Sequence, residues 1–459
     1  VILAHLDYLS LLGVDAIWLS PIYPSPNVDF GYDITNHCAI DPIFGTMEDF
    51  DNLVSEAHRR NIRIIMDLVL AHTSDQHPWF KQARLGRTNP FHDYYIWADP
   101  KPGKRVPNNW QSIMGGKYWQ YEPVCQQFFG HMFYPQQPDL NWHNPAVQDE
   151  MCKIFLYWLE RGVDGFRLDV FSSYFKNPRF FNQPFALGRR PFEMQQHIFD
   201  HNQPELDNAL RSIRKLVDQY PDRYLVGEPF LPTIKSSARY VKPDMLHAAF
   251  HLKFTEVPWK ASRILASIQS WESELDPEAW PCHVLNNHDV SRTSSRFHCG
   301  QEDDRLKVAA TLLLTLRGTP YLYYGEEIGQ RDIKLSRSQI KDPVGLKYWP
   351  FFRGRDFGRA PMQWNRQSFS GFSTSTPWLP VNPDYITRNV QTQQSDPASL
   401  LNWYRQLIKL RRDLPSLQSG IFQPVTYEPR QLLAYLRQTD DQSVLVILNF
   451  GHRPAQLYL

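Results

Sequence analysis

The sequence predicts an α/β protein, and three observations support this fold class. Short apolar runs alternate with amphipathic helical segments, as at Val14–Ser20, Ile62–Leu70 and Val163–Leu168, which is typical of parallel strands joined by helical crossovers. The chain has 459 residues, which exceeds one average domain but suits a (β/α)8 barrel with additions. Hydrophobic residues make up 42% of the chain and aromatic residues 14%, enough for a large core. We therefore expect a (β/α)8 barrel.

The elements follow one another in a regular order. Residues 1–12 form a helix, and a second helix begins near Thr46, whose hydroxyl can cap it while Asp49 supports the first turn. Counting strands from Val14 to Tyr324 gives seven. The other predicted elements are strands at Tyr224–Gly227, 246–254, 282–286 and 319–324, and helices at Pro145–Arg161, 204–219, 257–274, 303–316 and 398–413.

Three domains are expected from this succession of strands and helices. Residues 1–71 and 145–415 form the barrel, and 72–144 form an inserted, loop-rich domain after the third barrel strand. Residues 416–459 alternate as an antiparallel β domain. Seven strands are one short of a closed barrel, so we expect that the first strand precedes Val1 and that the β domain is truncated at its end.

Charge and cysteine content exclude several functions. Forty-nine basic and 48 acidic side chains give a formal charge of +1 without a basic block, which argues against nucleic acid as a partner. No apolar run is long enough to span a membrane. Five dispersed cysteines form no CxxC pair, and no secretion leader is evident, so we expect a cytoplasmic protein without a zinc site.

Acidic side chains stand where three predicted strands end, the edge at which barrel enzymes carry their reacting groups. "GVDGFRLD" ends in Asp169, "YLVGE" in Glu228, and "LNNHD" in His288 and Asp289. With a period of two, Arg167 and Asp169 point to the same side of their strand. One such acid alone is most often a loop cap or a surface charge, but three acids at neighbouring strand ends together predict a catalytic site.

Two carboxylates flanking a bond are what glycoside hydrolysis requires, one ionised to attack and one protonated to donate. We expect Arg167 to favour the ionised form of Asp169. Crowding by the other carboxylates should raise the pKa of Glu228, as a general acid requires.

These motifs resemble glycoside hydrolase family 13, the α-amylase superfamily, and within it the branch of oligo-1,6-glucosidases and α-glucosidases. "GFRLD", "VGE" and "NNHD" stand in the order of that family's motifs, and the resemblance spans nearly the whole chain. It implies that Asp169 is the nucleophile, Glu228 the acid/base and Asp289 the stabiliser of the transition state.

Other segments extend the resemblance, including "QPDLN" (Gln137 to Asn141) and "GTPYLYYGEEIG" (Gly318 to Gly329). It implies a glucose pocket built from "DFGYD", "GRAPMQW" and the histidine of "DLVLAHTS". Ala71 stands before that histidine where the family usually has Asn, so a calcium site is doubtful there, and we expect neither metal nor cofactor. The implied substrate-binding residues are Asp29, Tyr32, His72, Arg167, His288 and Arg359.

We therefore predict an exo-acting, retaining α-glucosidase that hydrolyses terminal α-glucosidic bonds of small α-glucosides such as maltose or isomaltose. The linkage stays open, because the resemblance points in two directions. In this branch a Val directly after the nucleophile, here Val170, is typical of α-1,6 specificity, whereas "QHPWF" resembles α-glucosidases with transglucosylating activity. A transglucosylase or a maltose/trehalose isomerase with the same acids is the alternative. Another alternative is a non-catalytic relative of this family, which would need a membrane anchor and usually lacks some of these acids. A last one is that a chain without its first barrel strand is not an active enzyme by itself.

Overall fold

A parallel sheet organises the first of two compact units in the computed structural model, which describes residues 1–103, 105–230, 233–299, 302–426 and 430–457. This unit comprises Val1–Leu6, Asp15–Leu231 and Tyr240–Ala249. Strands β1, β2, β6, β7 and β8 lie in that order in the sheet, and every neighbouring pair is parallel. The strands of this unit are β1 (Ala16–Leu19), β2 (Arg63–Leu68), β3 (Trp97–Ala98), β4 (Trp119–Glu122), β5 (Gln127–Gly130), β6 (Gly165–Leu168), β7 (Tyr224–Gly227) and β8 (Ala248–Ala249).

The register of the sheet aligns the carboxyl ends of its strands. Asp67 of β2 pairs with Arg167 of β6, and Arg167 pairs in turn with Val226 of β7. Asp169 and Glu228 each follow directly after the last residue of a strand, β6 and β7. These side chains therefore come from one edge of the sheet, as the strand-end pattern predicts.

Helices separate these strands, and their ends follow local sequence rules. The helix Met47–Arg59 begins at the predicted cap, where Thr46 and Asp49 form a reciprocal capping box. The helix Pro145–Glu160 begins after Asn144, whose side chain accepts a hydrogen bond from the backbone N–H of Ala146. The unit's other α-helices are Pro78–Ala83 and Leu206–Val217.

The segment 72–144 holds more regular structure than its sequence indicated. It contains the helix Pro78–Ala83 and a small antiparallel sheet in the order β3, β5, β4. Trp110, Trp119 and Trp142 are buried there, so these tryptophans serve packing. The proposed boundaries of an inserted domain at 72 and 144 stay a prediction.

The second unit comprises Asp7–Val14, Pro232–Arg239 and Phe250–Leu459. Its C-terminal strands β9 (Ile421–Pro424), β10 (Leu432–Gln438) and β11 (Ser443–Asn449) form the expected antiparallel sheet, with β10 in the centre. The predicted β domain 416–459 includes residues 427–429 and 458–459, which lie outside the described residues. Leu265, Leu313, Leu407 and Tyr435 belong to the hydrophobic core of this unit.

Helices supply most of the regular structure in the second unit. The α-helices Ala261–Glu274, Asp304–Thr315 and Leu400–Asp413 match the predicted ones within a few residues. Among the described residues, no helix is long and apolar enough to cross a membrane. The remaining α-helices are Leu6–Leu12, which starts in the first unit, Ile234–Ala238, Thr293–Arg296, Pro343–Lys347, Val390–Gln394 and Pro415–Gln418.

Three predicted strands are much shorter than expected. Of 246–254, only Ala248–Ala249 is a strand, and a 3-10 helix follows at Leu252–Glu256. The segments 282–286 and 319–324 contribute only single parallel bridges, His251 with His283 and Val284 with Tyr321. Pro320 cannot donate a ladder hydrogen bond, which limits pairing beside Tyr321.

Candidate active site

A buried cluster of charged side chains lies at the carboxyl ends of β2, β6 and β7. Its members are Asp67, Arg167, Asp169 and Glu228, and each side chain is buried or nearly so. One guanidinium contacts three carboxylates, so the cluster carries more negative than positive charge when all its acids are ionised.

Arg167 is the centre of this cluster. Its Nη1 lies 2.7 Å and 3.0 Å from the two oxygens of Asp67 and also donates to Oδ1 of Asp169. Its Nη2 donates to Oε2 of Glu228. The two acids that the sequence predicts as catalytic partners are therefore bound to adjacent nitrogens of one rigid fork.

Aromatic side chains enclose the same charges. Tyr32 donates from its hydroxyl to Oδ2 of Asp67 at 3.0 Å, and the Trp18 indole N–H donates to that oxygen at 3.2 Å. The guanidinium carbon of Arg167 lies 5.0 Å from the centre of the Trp18 ring and 5.8 Å from that of Tyr32. These rings and hydrogen bonds fix the orientation of Asp67 and Arg167.

Burial dominates the electrostatics of the cluster. It raises the pKa of Asp169 well above its ordinary value, and the charges of Glu228 and Asp67 act in the same direction while Arg167 opposes them. Burial also raises the pKa of Asp67, against the effect of Arg167. Arg167 thus favours ionised Asp169 as expected, but burial outweighs it, and Asp67 and Asp169 hold on to their protons more strongly than exposed carboxylates would.

A second group of polar side chains is connected to the first through Tyr32. The backbone carbonyl of Tyr32 lies 3.1 Å from Nε2 of His72, and that nitrogen lies 3.1 Å from Nε2 of Gln137. Gln137 also donates to Oδ2 of Asp29 at 3.2 Å. Burial lowers the pKa of His72, so its imidazole is neutral at neutral pH. Asp29, Tyr32 and His72 are therefore connected through one buried network.

The second unit holds the remaining predicted residues. Arg359 donates from Nη2 to Oδ1 of Asp289 at 2.8 Å and from Nε to the backbone carbonyl of His288 at 2.8 Å. Nε2 of His288 lies 3.6 Å from Oδ2 of Asp289. Arg355 adds a second guanidinium, with Nη1 at 3.7 Å from Oδ1 of Asp289. His288, Asp289 and Arg359 form one cluster, as the motifs imply.

Four residues of these clusters escaped the sequence prediction: Trp18, Asp67, Gln137 and Arg355. For each of them, the sequence contains a feature that could have indicated a role in the site. Asp67 is the one acid in the apolar strand "RIIMDL", and Trp18 stands next to the end of its strand. Gln137 opens the quoted "QPDLN" segment, and Arg355 precedes Arg359 by four residues.

One cluster of the first unit has residue types that ligate metals. His197, Asp200 and His201 are buried, and their candidate ligand atoms lie within 4.8 Å of one another. Each oxygen of Asp200 already accepts a hydrogen bond at 2.8 Å from Nδ1 of one histidine. Burial raises the pKa of Asp200, but these hydrogen bonds outweigh it and hold the pKa below its usual value. Both carboxylate oxygens of Asp200 are therefore already used in hydrogen bonds within the cluster.

Comparisons with known proteins place the chain among carbohydrate-active enzymes. The model of the alpha-amylase catalytic domain matches residues 2–420. A probable alpha-glucosidase of Rhizobium meliloti (strain 1021) is 40% identical, over 99% of this chain and 85% of its own. The oligo-1,6-glucosidase of Parageobacillus thermoglucosidasius is 36% identical, over 98% and 86%.

A solved structure extends the likeness to three dimensions. The crystal structure of the alpha-glucosyl transfer enzyme XgtA superposes with a TM-score of 0.96 at 38% identity, covering all of this chain and 88% of that one. Together with the match to the catalytic-domain model, this confirms the predicted (β/α)8-barrel class.

Proposed function

The chain belongs to the alpha-amylase family of enzymes, and from this premise we propose that it is an exo-acting α-glucosidase that retains anomeric configuration. Its substrates are small α-glucosides of the maltose or isomaltose type, from which it removes the terminal non-reducing glucose. Relatives named alpha-glucosidase and oligo-1,6-glucosidase support this substrate class.

In the proposed mechanism, Asp169 attacks the anomeric carbon while Glu228 protonates the departing oxygen. The carbon–oxygen bond to the leaving group breaks as the bond to Asp169 forms. Water then replaces Asp169 at that carbon, with Glu228 accepting its proton. Two displacements give net retention of configuration.

The observation that carries the proposal is the shared guanidinium of Arg167. Because it binds Asp169 and Glu228 through neighbouring nitrogens, the two acids stand close together, as a retaining pair must. Burial raises the pKa of Asp169, whereas the proposed mechanism needs Asp169 ionised and therefore requires the proton of the pair to be on Glu228. A site with one protonated and one ionised acid is what this chemistry needs.

The buried network of Asp29, Tyr32 and His72 supplies hydrogen-bonding groups suited to the hydroxyls of one glucose. In the second unit, we propose that Asp289 stabilises the transition state and that His288 and Arg359 bind the sugar. The linkage, α-1,4 or α-1,6, remains open.

A glucosyl transferase or an isomerase is the second candidate, and the likeness to XgtA favours it. The first displacement would be the same. A sugar hydroxyl would replace water in the second one, so the two candidates differ in the acceptor alone.

A proton-NMR time course with maltose, isomaltose, trehalose and sucrose tests the proposal. We expect α-glucose to appear first from maltose or isomaltose, and this release to disappear in Asp169→Asn. Asp440→Asn, the same change at an exposed acid of the turn between β10 and β11, should leave it unaltered. New glycosidic signals without free glucose would favour the transferase, and early β-glucose would contradict retention.

A further inference from the structure

A buried serine hydroxyl connects the two segments that carry the proposed catalytic acids. Asp169 is the first residue after β6, and Glu228 is the first residue after β7. Three residues beyond Asp169, Oγ of Ser172 accepts a hydrogen bond from the backbone N–H of Phe230 at 2.7 Å and donates to the Phe230 carbonyl at 3.3 Å. Ser172 therefore binds the backbone two residues beyond Glu228.

These contacts close a short ring of backbone around the two acids. At the edge of the sheet, the N–H of Glu228 donates to the carbonyl of Leu168 at 2.9 Å, which joins the ends of β6 and β7. The hydrogen bonds between Ser172 and Phe230 join the same two segments again, a few residues further on. The spacing of the two backbones at Asp169 and Glu228 is thus bounded by one link from the sheet and one from a side chain.

The chain between this link and each acid is stiff. On the side of Glu228, Pro229 has a fixed φ and restricts the backbone of the residue before it. On the other side, residues Phe171–Ser173 form a 3-10 helix, in which the N–H and the hydroxyl of Ser173 both donate to the Val170 carbonyl at 2.8 Å. A shift at Ser172 would therefore be passed on to the acids rather than absorbed by the loops.

The backbone next to Asp169 is strained, and Ser172 is held from two sides. Val170 has φ 37° and ψ 36°, a left-handed conformation that is unfavourable for a β-branched residue and persists only where the surrounding structure holds it. The Ser172 hydroxyl binds Phe230, and the Ser172 carbonyl accepts from the N–H of Asn202 at 2.7 Å. Oδ1 of Asn202 accepts in turn from the Tyr240 hydroxyl at 3.0 Å. Such strain beside a reacting group indicates a conformation kept for function.

We propose that Ser172 is a positioning residue, whose hydroxyl sets the spacing between the backbone segments that carry Asp169 and Glu228. This inference rests on the proposed function and deepens it. A retaining pair needs its carboxyl groups about 5–5.5 Å apart. Since a misplacement of about 1 Å can lower a rate up to about a hundredfold, a single hydrogen bond at this point affects catalysis without touching the sugar.

The test compares two leaving groups in the wild type and in Ser172→Ala. Values of kcat/KM are measured for phenyl α-glucoside and for 4-nitrophenyl α-glucoside, because this parameter includes the step in which Glu228 protonates the departing oxygen. Phenoxide is the poorer leaving group and depends more on that proton. We expect Ser172→Ala to lower kcat/KM about tenfold or more for the phenyl glucoside, and about threefold or less for the 4-nitrophenyl glucoside.

The ratio of the two losses separates positioning from folding. Unfolded enzyme lowers both values equally, because both are measured on one preparation. Ser173→Ala is the matched control, since Ser173 is a buried serine of the same 3-10 helix whose hydroxyl donates to Val170 within its own loop. Its ratio of kcat/KM for the two glucosides should equal that of the wild type.

The possible outcomes are distinct. Equal losses on the two glucosides in Ser172→Ala, or no loss on either, would overturn the positioning role while leaving the proposed function intact. The same change of ratio in Ser173→Ala would also overturn it, because the effect would then belong to the loop as a whole. A wild type that cleaves neither glucoside would instead overturn the proposed function, and this inference with it.

Discussion

Arg167 and Asp67 form a buried ion pair in which one guanidinium nitrogen, Nη1, lies 2.7 Å and 3.0 Å from the two carboxylate oxygens. The pair spans two strands that are register partners at these residues. Because Asp67 holds the guanidinium from the side of β2, Arg167 meets Asp169 and Glu228 in a fixed orientation. Asp67 is thus a supporting residue of the candidate site.

Replacing Asp67 by Asn should be costly for both stability and activity. The amide keeps the shape, but its NH2 group cannot accept the hydrogen bonds that an Asp67 oxygen accepts from Arg167, Tyr32 and Trp18, and buried donors left unsatisfied typically lower the free energy of unfolding by about 2 kcal/mol. Urea denaturation measures this loss, and kcat/KM should fall with it because Arg167 would lose a hydrogen-bond partner that fixes it from the side of β2.

The control for Asp67→Asn is a pair with the same geometry at the surface. Arg161 Nη1 lies 2.9 Å from both oxygens of Asp51, with side chains 31% and 49% exposed. Asp51→Asn should change stability by about 0.5 kcal/mol or less. Equal losses at the two positions would show that burial of the Asp67 pair contributes nothing.

Gln137→Glu should weaken substrate binding in a pH-dependent way. The change replaces the Nε2 donor that faces Asp29 at 3.2 Å with an oxygen, which brings a second carboxylate beside the first. We expect KM to rise about tenfold at pH 7, as for the loss of one hydrogen bond to a charged group. Below the pKa of the new acid, its proton restores a donor, so the difference from the wild type should narrow at about pH 5.

Gln76 offers a matched comparison, since its Nε2 donates to Oδ1 of Asp75 at 3.0 Å in an exposed position. Gln76→Glu should leave KM unaltered at both pH values. A Gln137→Glu enzyme with a wild-type KM would remove Gln137 from the site.

His37 should make stability fall in mild acid. Its imidazole is fully buried, and burial lowers its pKa from 6.5 to about 4. The unfolded chain takes up the proton first, so the contribution of His37 is complete above pH 6.5 and is lost as the pH falls to about 4. This difference corresponds to about 3 kcal/mol, measurable by urea denaturation at pH 7 and pH 4.5.

His37→Gln can keep the hydrogen bond to the Val69 carbonyl, which the histidine makes from Nε2 at 3.0 Å, without a titrating group. Its stability should therefore depend less steeply on pH than that of the wild type. His452→Gln, at an exposed histidine, should keep the wild-type dependence. A His37→Gln protein with that same dependence would contradict the account of His37.

Local sequence rules predicted much of the first unit, because they depend on neighbouring residues. Thr46 and Asp49 lie three positions apart, which defines a capping box without reference to the fold. Strand β7 was predicted with its observed bounds, since "YLVG" is an apolar run closed by an acid. The alternation of β6 also placed Arg167 on the side of Asp169, and the two side chains are in contact.

What the sequence did not reveal depends on register and on irregular structure. Asp67 becomes a partner of Arg167 only through the pairing of β2 with β6, which no local pattern specifies. Gln137 reaches Asp29 across 108 positions, from a segment without helix or strand. The segment 282–286 was apolar enough for a strand, but its pairing in the structure is limited to single bridges at His283 and Val284.

The central claim is that Asp169 forms the covalent bond to glucose, and trapping that intermediate tests it most directly. The enzyme is incubated with 5-fluoro-α-glucosyl fluoride, and its intact mass and proteolytic peptides are analysed by mass spectrometry. We predict a mass increase of one fluoroglucosyl group, carried by the peptide that contains Asp169 and absent in Asp169→Asn. A group attached to any other residue, or turnover of maltose to β-glucose without an adduct, would contradict the account.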